Sequence, residues 1–485
     1  MDKKIKNEIV STVLTFVALL ATAVVVAVGG TMLALHTAAI VPYIGSIAAT
    51  AVALFVIYVV FYIYIRYIVG SGEIDSLPFP KLLAIVYFTV SAGVLLSCLS
   101  TGFLNSFAMP IACVALTIGI LIKIRIGLMS TIITALGSLT VICSAIYASG
   151  GEAVLPEVIF GCLSSTVSGF AMIFLIRRRY SRFKLTWGAL IVALIMAPFS
   201  ALLSLIYTTD ASEIVQNAVY SAIGDLISIA IMTASLPMYE RICNVWTDFR
   251  LEELISLNQP LLKRMSEEAP GTLSHSMALA NLAESCAIAI GLNPFMARAC
   301  AYYHDVGKLK NPQFFVENQT DGYNPHDDLI PEVSANMITR HTKAGAEMLK
   351  EMHMPEEIVK AALEHHGTSA VGFFYMKAKY ISGDRAKGVD EKEYRYEGPI
   401  PSTRYSAVIM LCDICEAMFR AKPPEDFEAM QEAVDKVVAA KIADGQFDNC
   451  KLTMRELNTI KQTICSIVPF TMHKRIDYAK AKERR

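Results

Sequence analysis

The chain has 485 residues, 54% of them hydrophobic, which is long enough for two or more domains. Its formal net charge of −1 averages two dissimilar halves and therefore singles out no class of partner: residues 8–238 are a succession of apolar stretches, whereas 239–485 read as an ordinary soluble protein. The 11 cysteines show no framework spacing, which excludes a disulfide-stapled scaffold.

The N-terminus opens with Lys3, Lys4 and Lys6 ahead of a long apolar run. More apolar runs follow it, so a signal anchor is expected rather than a cleaved signal peptide. A helix needs roughly 20 mainly apolar residues to cross the hydrocarbon core. Eight stretches qualify: 9–31, 42–67, 82–100, 105–122, 128–148, 154–176, 185–207 and 215–237. If they alternate, Lys3/Lys4/Lys6, Arg66, Lys123/Arg125 and the cluster Arg177, Arg178, Arg179, Arg182 and Lys184 share one side. Glu152, Glu157, Asp210 and Glu213 fall on the other. The positive-inside rule then places both termini in the cytoplasm. Asp225, in Gly224-Asp225-Leu226, is the one carboxylate deep in apolar sequence. A place facing the bundle interior, with a hydrogen-bond partner, is expected for it. No charge stripe or duplicated broken-helix pattern marks a transport pathway.

Beyond Pro237, leucines at helical spacing (Leu251, Leu254, Leu257, Leu261, Leu262) predict a helical connector over 239–270. From 271 onward a period near 3.6 dominates, interrupted by Pro/Gly/Asn segments, so this half is expected to be all-helical. The predicted helices include Ser276–Ile290, Pro294–Tyr303, one starting near Pro331, Pro355–Glu364 stopped by Gly367, and Ser406–Arg420.

Those helices carry the pattern H…HD…H…HH…D: His275, His304, Asp305, His341, His365, His366 and Asp413. It takes five of the nine histidines, while the first 274 residues hold only His36. Imidazoles and carboxylates suit borderline divalent metals, and an adjacent His-Asp pair lets one carboxylate bridge two ions. We therefore expect a dinuclear metallohydrolase site, built from the ends and inner faces of several helices. His36, His326, His353 and His473 read as ordinary surface, core or loop histidines. Cys412-x-x-Cys415 lacks a second pair and reads as two small helix-packing residues.

Residues 271–485 resemble the HD-domain phosphohydrolases, specifically the bacterial seven-transmembrane HD receptors of the PgpH type. The resemblance rests on GTLSHS (271–276), ANLAES (280–285), AYYHDVGKLKNPQFFVENQ (301–319), NPHDDL (324–329), EHHGT (364–368), YRYEGP (394–399), MLCDICEA (410–417) and KIADGQFDNCKLT (441–453). The multi-span region before them fits the same architecture. The fold class implied is all-α: a polytopic transmembrane helix bundle (1–238, about eight helices), the connector (239–270) and a cytoplasmic HD domain (271–485). Two departures stand out. Only His36–Tyr43 intervenes where many members carry a large extracytoplasmic domain, and Ser274 replaces the first of the family's two consecutive histidines.

The resemblance implies a cell-membrane enzyme with a cytoplasmic catalytic domain that hydrolyses cyclic di-AMP to linear pApA, with regulation through its membrane domain compatible with that architecture. It also implies two divalent ions, with Fe or Mn expected. One would be held by His275, His304, Asp305 and Asp413, the other by His341, His365, His366 and the shared Asp305, with a bridging hydroxide as nucleophile. Lys308, three residues after Asp305, is expected to approach a phosphate oxygen as a point charge; Lys377, Arg395 and Arg420 are weaker substrate candidates. The expected partners are the cyclic dinucleotide and the lipid bilayer, a homodimer is compatible with the connector, and no DNA or RNA duplex is expected. The rival readings are an HD hydrolase of cyclic di-GMP or a deoxynucleoside triphosphate, or a nucleotide-binding receptor without turnover. The G-Y-P motif of cyclic di-GMP-specific HD enzymes is absent, Tyr323-Asn324-Pro325 being no substitute.

Overall fold

The computed structural model describes residues 3–70, 78–176, 182–319, 322–383 and 388–471. The protein is all-α; among the described residues the nearest thing to a sheet is a lone antiparallel bridge, Ala370 to Arg395. It divides into two compact units, Met1–Thr247 and Asp248–Arg485.

The first unit holds α1 (Lys3–Leu35), α2 (Ile44–Gly70), α3 (Phe79–Phe103), α4 (Ile111–Leu121), α5 (Ile124–Ala148), α6 (Leu155–Ile176), α7 (Arg182–Ser204) and α8 (Ala211–Ile242). Seven of these are long and apolar enough to cross a bilayer; the eighth predicted span, 105–122, is not. Asn105 caps a single 3-10 turn, Ser106–Ala108, and Pro110 delays the α-helix to Ile111. At 1.5 Å per residue, 11 residues reach only about 16 Å of a core roughly 30 Å thick. The expectation of eight full spans is corrected to seven plus a short helix with almost every residue buried.

Backbone direction is nevertheless preserved across the short segment. A Cβ built on Gly93 of α3 would lie 3.1 Å from Thr134 of α5, and further along both helices a Cβ on Gly30 of α1 would meet Cys98 of α3 at 3.2 Å and Val141 of α5 at 2.6 Å. Residue numbers rise together along both helices, so α3 and α5 run parallel and the stretch between them recrosses the bundle. At the far end, a Cβ on Gly127 would sit 2.7 Å from Ile173 and 3.0 Å from Gly119, which gathers the start of α5 with the ends of α4 and α6. Lys123 and Arg125 thus belong to the same end as the C-terminus of α6. Arg177, Arg178 and Arg179 of the predicted basic cluster lie outside the described residues.

Inside the bundle, small hydroxylic residues let helices approach closely. Ser164 and Ser200 meet at 2.6 Å, and Ser130, Thr134 and Ser138 are fully buried. Asp225 faces this interior at 4% exposure and accepts from Ser168 at 2.6 Å.

The second unit comprises α9 (Asp248–Leu254), α10 (Pro260–Glu268), α11 (Pro270–Ala289), α12 (Pro294–Tyr303), α13 (Pro331–Glu351), α14 (Glu356–Glu364), α15 (Gly372–Ser382), α16 (Arg404–Ala421), α17 (Phe427–Ala443) and α18 (Met454–Thr471). The predicted connector helix is broken into α9 and α10: Leu251, Leu254, Leu261 and Leu262 are buried in this unit, while Leu257 falls between the two helices and is exposed. A long 3-10-rich excursion, 304–330, separates α12 from α13, and it positions Asp305 and Lys308. Cys412 and Cys415 are buried, unbridged helix-packing residues, as expected.

Candidate metal centre

Five helices deliver the donor side chains. His275 lies one turn into α11; Asn293 caps α12, so that its C-terminus presents His304 and, one residue later, Asp305. His341 sits midway along α13, His365 and His366 close α14, and Asp413 is central in α16. The chain can turn away directly after His366 because Gly367 adopts φ +55°, and a Cβ there would meet Gln446 Oε1 at 2.0 Å.

The structure brings all seven predicted ligands together, as three groups whose donor atoms lie within 4.8 Å of one another: His275, His304 and Asp413; His304, Asp305 and His365; His341, His365 and His366. The middle group joins the other two. Its carboxylate is divided between them. Asp305 Oδ2 is 3.2 Å from His304 Nε2, while Oδ1 is 3.2 Å from His341 Nε2 and 3.6 Å from His365 Nε2.

Ring orientation follows from backbone hydrogen bonds that leave Nε2 pointing inward. His304 Nδ1 donates to Ala301 at 2.8 Å, His341 Nδ1 to Ile338 at 2.7 Å, and His365 Nδ1 to Ala361 and Ala362, both at 3.0 Å. Such outer contacts are how proteins fix the tautomer of metal-binding histidines. Two buried atoms, His304 Nε2 and Asp305 Oδ1, have no hydrogen-bond partner. Buried polar atoms are rarely left so, and here a divalent cation fits them: the donor set is nitrogen and oxygen with no thiolate.

His275 is held differently. Its Nδ1 is 2.7 Å from Glu416 Oε2 and its Nε2 3.0 Å from Asp413 Oδ1, and Glu416 in turn pairs with Arg420. Glu416 was not singled out in the sequence. Its signal was its place three residues after Asp413, on the same face of the same helix. Removing an outer carboxylate of this kind typically costs 10–100-fold in metal affinity. We expect Glu416→Ala to weaken metal retention by roughly that factor in chelator competition, with Glu416→Gln, which still offers an acceptor, losing less.

Electrostatics sort the donors. Burial opposes charge on His275, but its hydrogen bonds to Asp413 and Glu416 outweigh burial and push its pKa up to about 10. Burial keeps His365 and His366 below the ordinary imidazole range, so both are neutral, ligand-ready groups. Burial also disfavours the Asp305 and Asp413 carboxylates, yet neighbouring cations hold both well below the usual range. In the metal-free protein the raised His275 stabilises the fold fully below its ordinary value of 6.5, and that contribution fades as pH climbs through about 10. A metal needs the lone pair of Nε2. At pH 7, therefore, metal loading should release close to one proton from this residue, read by titration calorimetry in buffers of different ionisation enthalpy. His275→Asn should lower the proton release by close to one.

The four predicted substrate contacts are all engaged by protein groups. Lys308 Nζ lies 2.7 Å from both Asp305 Oδ2 and Glu317 Oε1, a half-buried bridge between two carboxylates rather than an open point charge. Lys377 donates to the His326 carbonyl at 3.5 Å. Arg395 pairs with Glu391 at 2.9 Å and Asp444 at 3.3 Å, and Arg420 with Glu416. Two residues not singled out do border the donors. Tyr396 stacks on His366 with centroids 4.4 Å apart, and Lys441 Nζ reaches Ser369 Oγ at 2.5 Å. His326 lies apart in the 304–330 excursion, its Nε2 donating to Phe314 at 2.9 Å, and His473 lies outside the described residues. Ser274 is exposed on α11, turned away from the donors.

Two family descriptions match the chain: a 7TM receptor with intracellular HD hydrolase over residues 40–247, and an HD domain over 272–418. The chain is 35% identical over 380 residues to the cyclic-di-AMP phosphodiesterase PgpH of Bacillus subtilis (strain 168), covering 78% of this chain and 52% of that protein. It is 38% identical over 319 residues to the protein of the same name in Listeria monocytogenes serotype 1/2a, covering 65% and 44%. The chain thus spans about half the length of these relatives. A crystal structure of the L. monocytogenes phosphodiesterase PgpH HD domain in complex with cyclic-di-AMP is 44% identical. It covers 45% of this chain and 100% of that one, at a TM-score of 0.42.

Proposed function

We propose, for a chain that belongs to the family of 7TM receptors with an intracellular HD hydrolase, that it is a membrane-anchored, metal-dependent phosphodiesterase converting cyclic di-AMP to pApA. The observation that carries this reading is the divided carboxylate of Asp305, with one oxygen toward each histidine group. His275, His304 and Asp413 would hold one divalent ion, His341, His365 and His366 the other, and Asp305 would serve both. Iron and manganese are the metals this donor set suits. Such ions supply Lewis acidity and lower the pKa of water from 15.7 toward ~7, providing a nucleophile at neutral pH.

The residues themselves position and neutralise. Two carboxylates against two divalent ions leave the site positive, which suits an anionic diester. Lys308 holds Oδ2 of Asp305 and so fixes the plane of the carboxylate. Tyr396, stacked on His366, covers one flank of the donors. Hydrolysis adds water across one P–O3′ bond: phosphorus gains the oxygen of water, and the ribose 3′ oxygen leaves and takes the proton. For location, the basic residues at the end shared by α5 and α6 support a cytoplasmic face there, and with it a cytoplasmic second unit.

The test uses the full chain, reconstituted with Mn²⁺ or Fe²⁺. Cyclic di-AMP should yield pApA, and faster than cyclic di-GMP is cleaved. Binding of cyclic di-AMP without turnover would instead support a receptor; faster cleavage of cyclic di-GMP would replace the substrate.

A further inference from the structure

One helix of the second unit turns its apolar side outward. In α15, Phe373, Met376, Tyr380 and Ile381 are 71, 63, 88 and 64% exposed, while Phe374 and Ala378 are 6 and 3% exposed. At 100° per residue the four exposed side chains fall within one arc of about 140°, and the buried pair begins just beyond its Ile381 edge. A cluster of large apolar groups on one exposed face marks an interaction site. Two lysines accompany the arc: Lys377 lies within it, its Nζ 3.5 Å from the His326 carbonyl, and Lys379 lies beyond its edge, with Nζ 4.4 Å from the centroid of Tyr375. Aromatic and aliphatic groups at the crest with lysines alongside are the composition of a helix lying in the headgroup region of a bilayer.

We infer that α15 is an interfacial helix that docks the second unit on the membrane surface, its apolar arc in the acyl boundary and its lysines toward anionic headgroups. Two further observations favour lipid over a second copy of the chain. A bilayer is always at hand, because the same polypeptide carries seven helices apolar enough to span one. The four side chains offer on the order of 600 Å², with aromatics at about 150–250 Å² each, short of the roughly 800 Å² per partner of a standard protein interface. The docking contact adjoins the donor site by a short route. Val371 N donates to the Tyr394 carbonyl at 2.7 Å and Tyr396 N to the Ser369 carbonyl at 3.0 Å, so the two strands of chain flanking α15 also carry Tyr396.

The test reconstitutes the full chain, one copy per nanodisc, with a photoactivatable lipid whose reactive group sits at the headgroup–acyl boundary, followed by peptide mapping. Labelling is expected on 372–382 as well as on the spans. It should rise when anionic lipid replaces zwitterionic lipid, and should fall at least 5-fold in Phe373→Ser/Tyr380→Ser. That variant should retain wild-type metal content, which shows the unit folded. Spans labelled with 372–382 bare would overturn the proposal. So would chemical cross-links between the α15 helices of two copies in liposomes, because the arc would then be covered by protein.

Discussion

Asp305→Ala should eliminate turnover of cyclic di-AMP, by at least ~10³-fold in kcat, and lower metal content at both positions together. The expectation rests on geometry: each oxygen of Asp305 faces a different histidine group, at 3.2 Å from His304 Nε2 and 3.2 Å from His341 Nε2. Charge stabilisation at a metal site is worth several kcal/mol, and about 4 kcal/mol corresponds to ~10³ in rate. His275→Ala removes a donor from one group only and should be the milder change, with one metal position retained. Elemental analysis beside single-turnover kinetics separates the two variants. Equal metal loss in both would show that Asp305 is not shared.

The second large effect is expected at a residue that supplies no ligand atom. Gly307 lies against α13 so closely that a Cβ would stand 1.9 Å from the His341 carbonyl oxygen and 2.5 Å from the Gly345 amide nitrogen. Both obstacles are backbone, so no side chain can swing aside. Gly307→Ala must push the 306–310 turn off α13, and with it separate Asp305 from His341. Overpacking typically costs 1–3 kcal/mol and more where backbone must move, so we expect a loss of about 3 kcal/mol or greater. The readouts are faster proteolysis of the second unit and lowered metal retention in chelator competition. Gly372→Ala, whose Cβ meets nothing within 4 Å, should alter neither.

The candidate donors were legible because their chemistry is rare: five histidines within 92 positions, in an order that the helices then bring together. Span positions were legible from hydropathy, but hydropathy reads composition and not helix length. The stretch 105–122 is apolar enough for a span, yet Asn105 and Pro110 divide it. The intramolecular partners of the substrate candidates were also partly legible. Arg395 and Arg420 each have a glutamate four residues earlier, Glu391 and Glu416, a pairing the spacing already offered. The partner of Lys308 three residues away was equally near, but Glu317 required the fold of the 304–330 excursion. The outward arc of α15 had no sequence signal, since Phe-Phe-Tyr-Met beside alanine reads as ordinary core.

The half-buried bridge of Lys308 between Asp305 and Glu317 has a bearing on starvation. With no ion present, the charges of Lys308, Arg420 and the protonated His275 stand among the carboxylates of Asp305, Asp413, Glu416 and Glu317, so the pocket is nearly self-neutral. An idle molecule can therefore keep its shape. Returning iron or manganese to depleted cells should restore activity as fast as the ion arrives, with no wait for refolding or fresh synthesis.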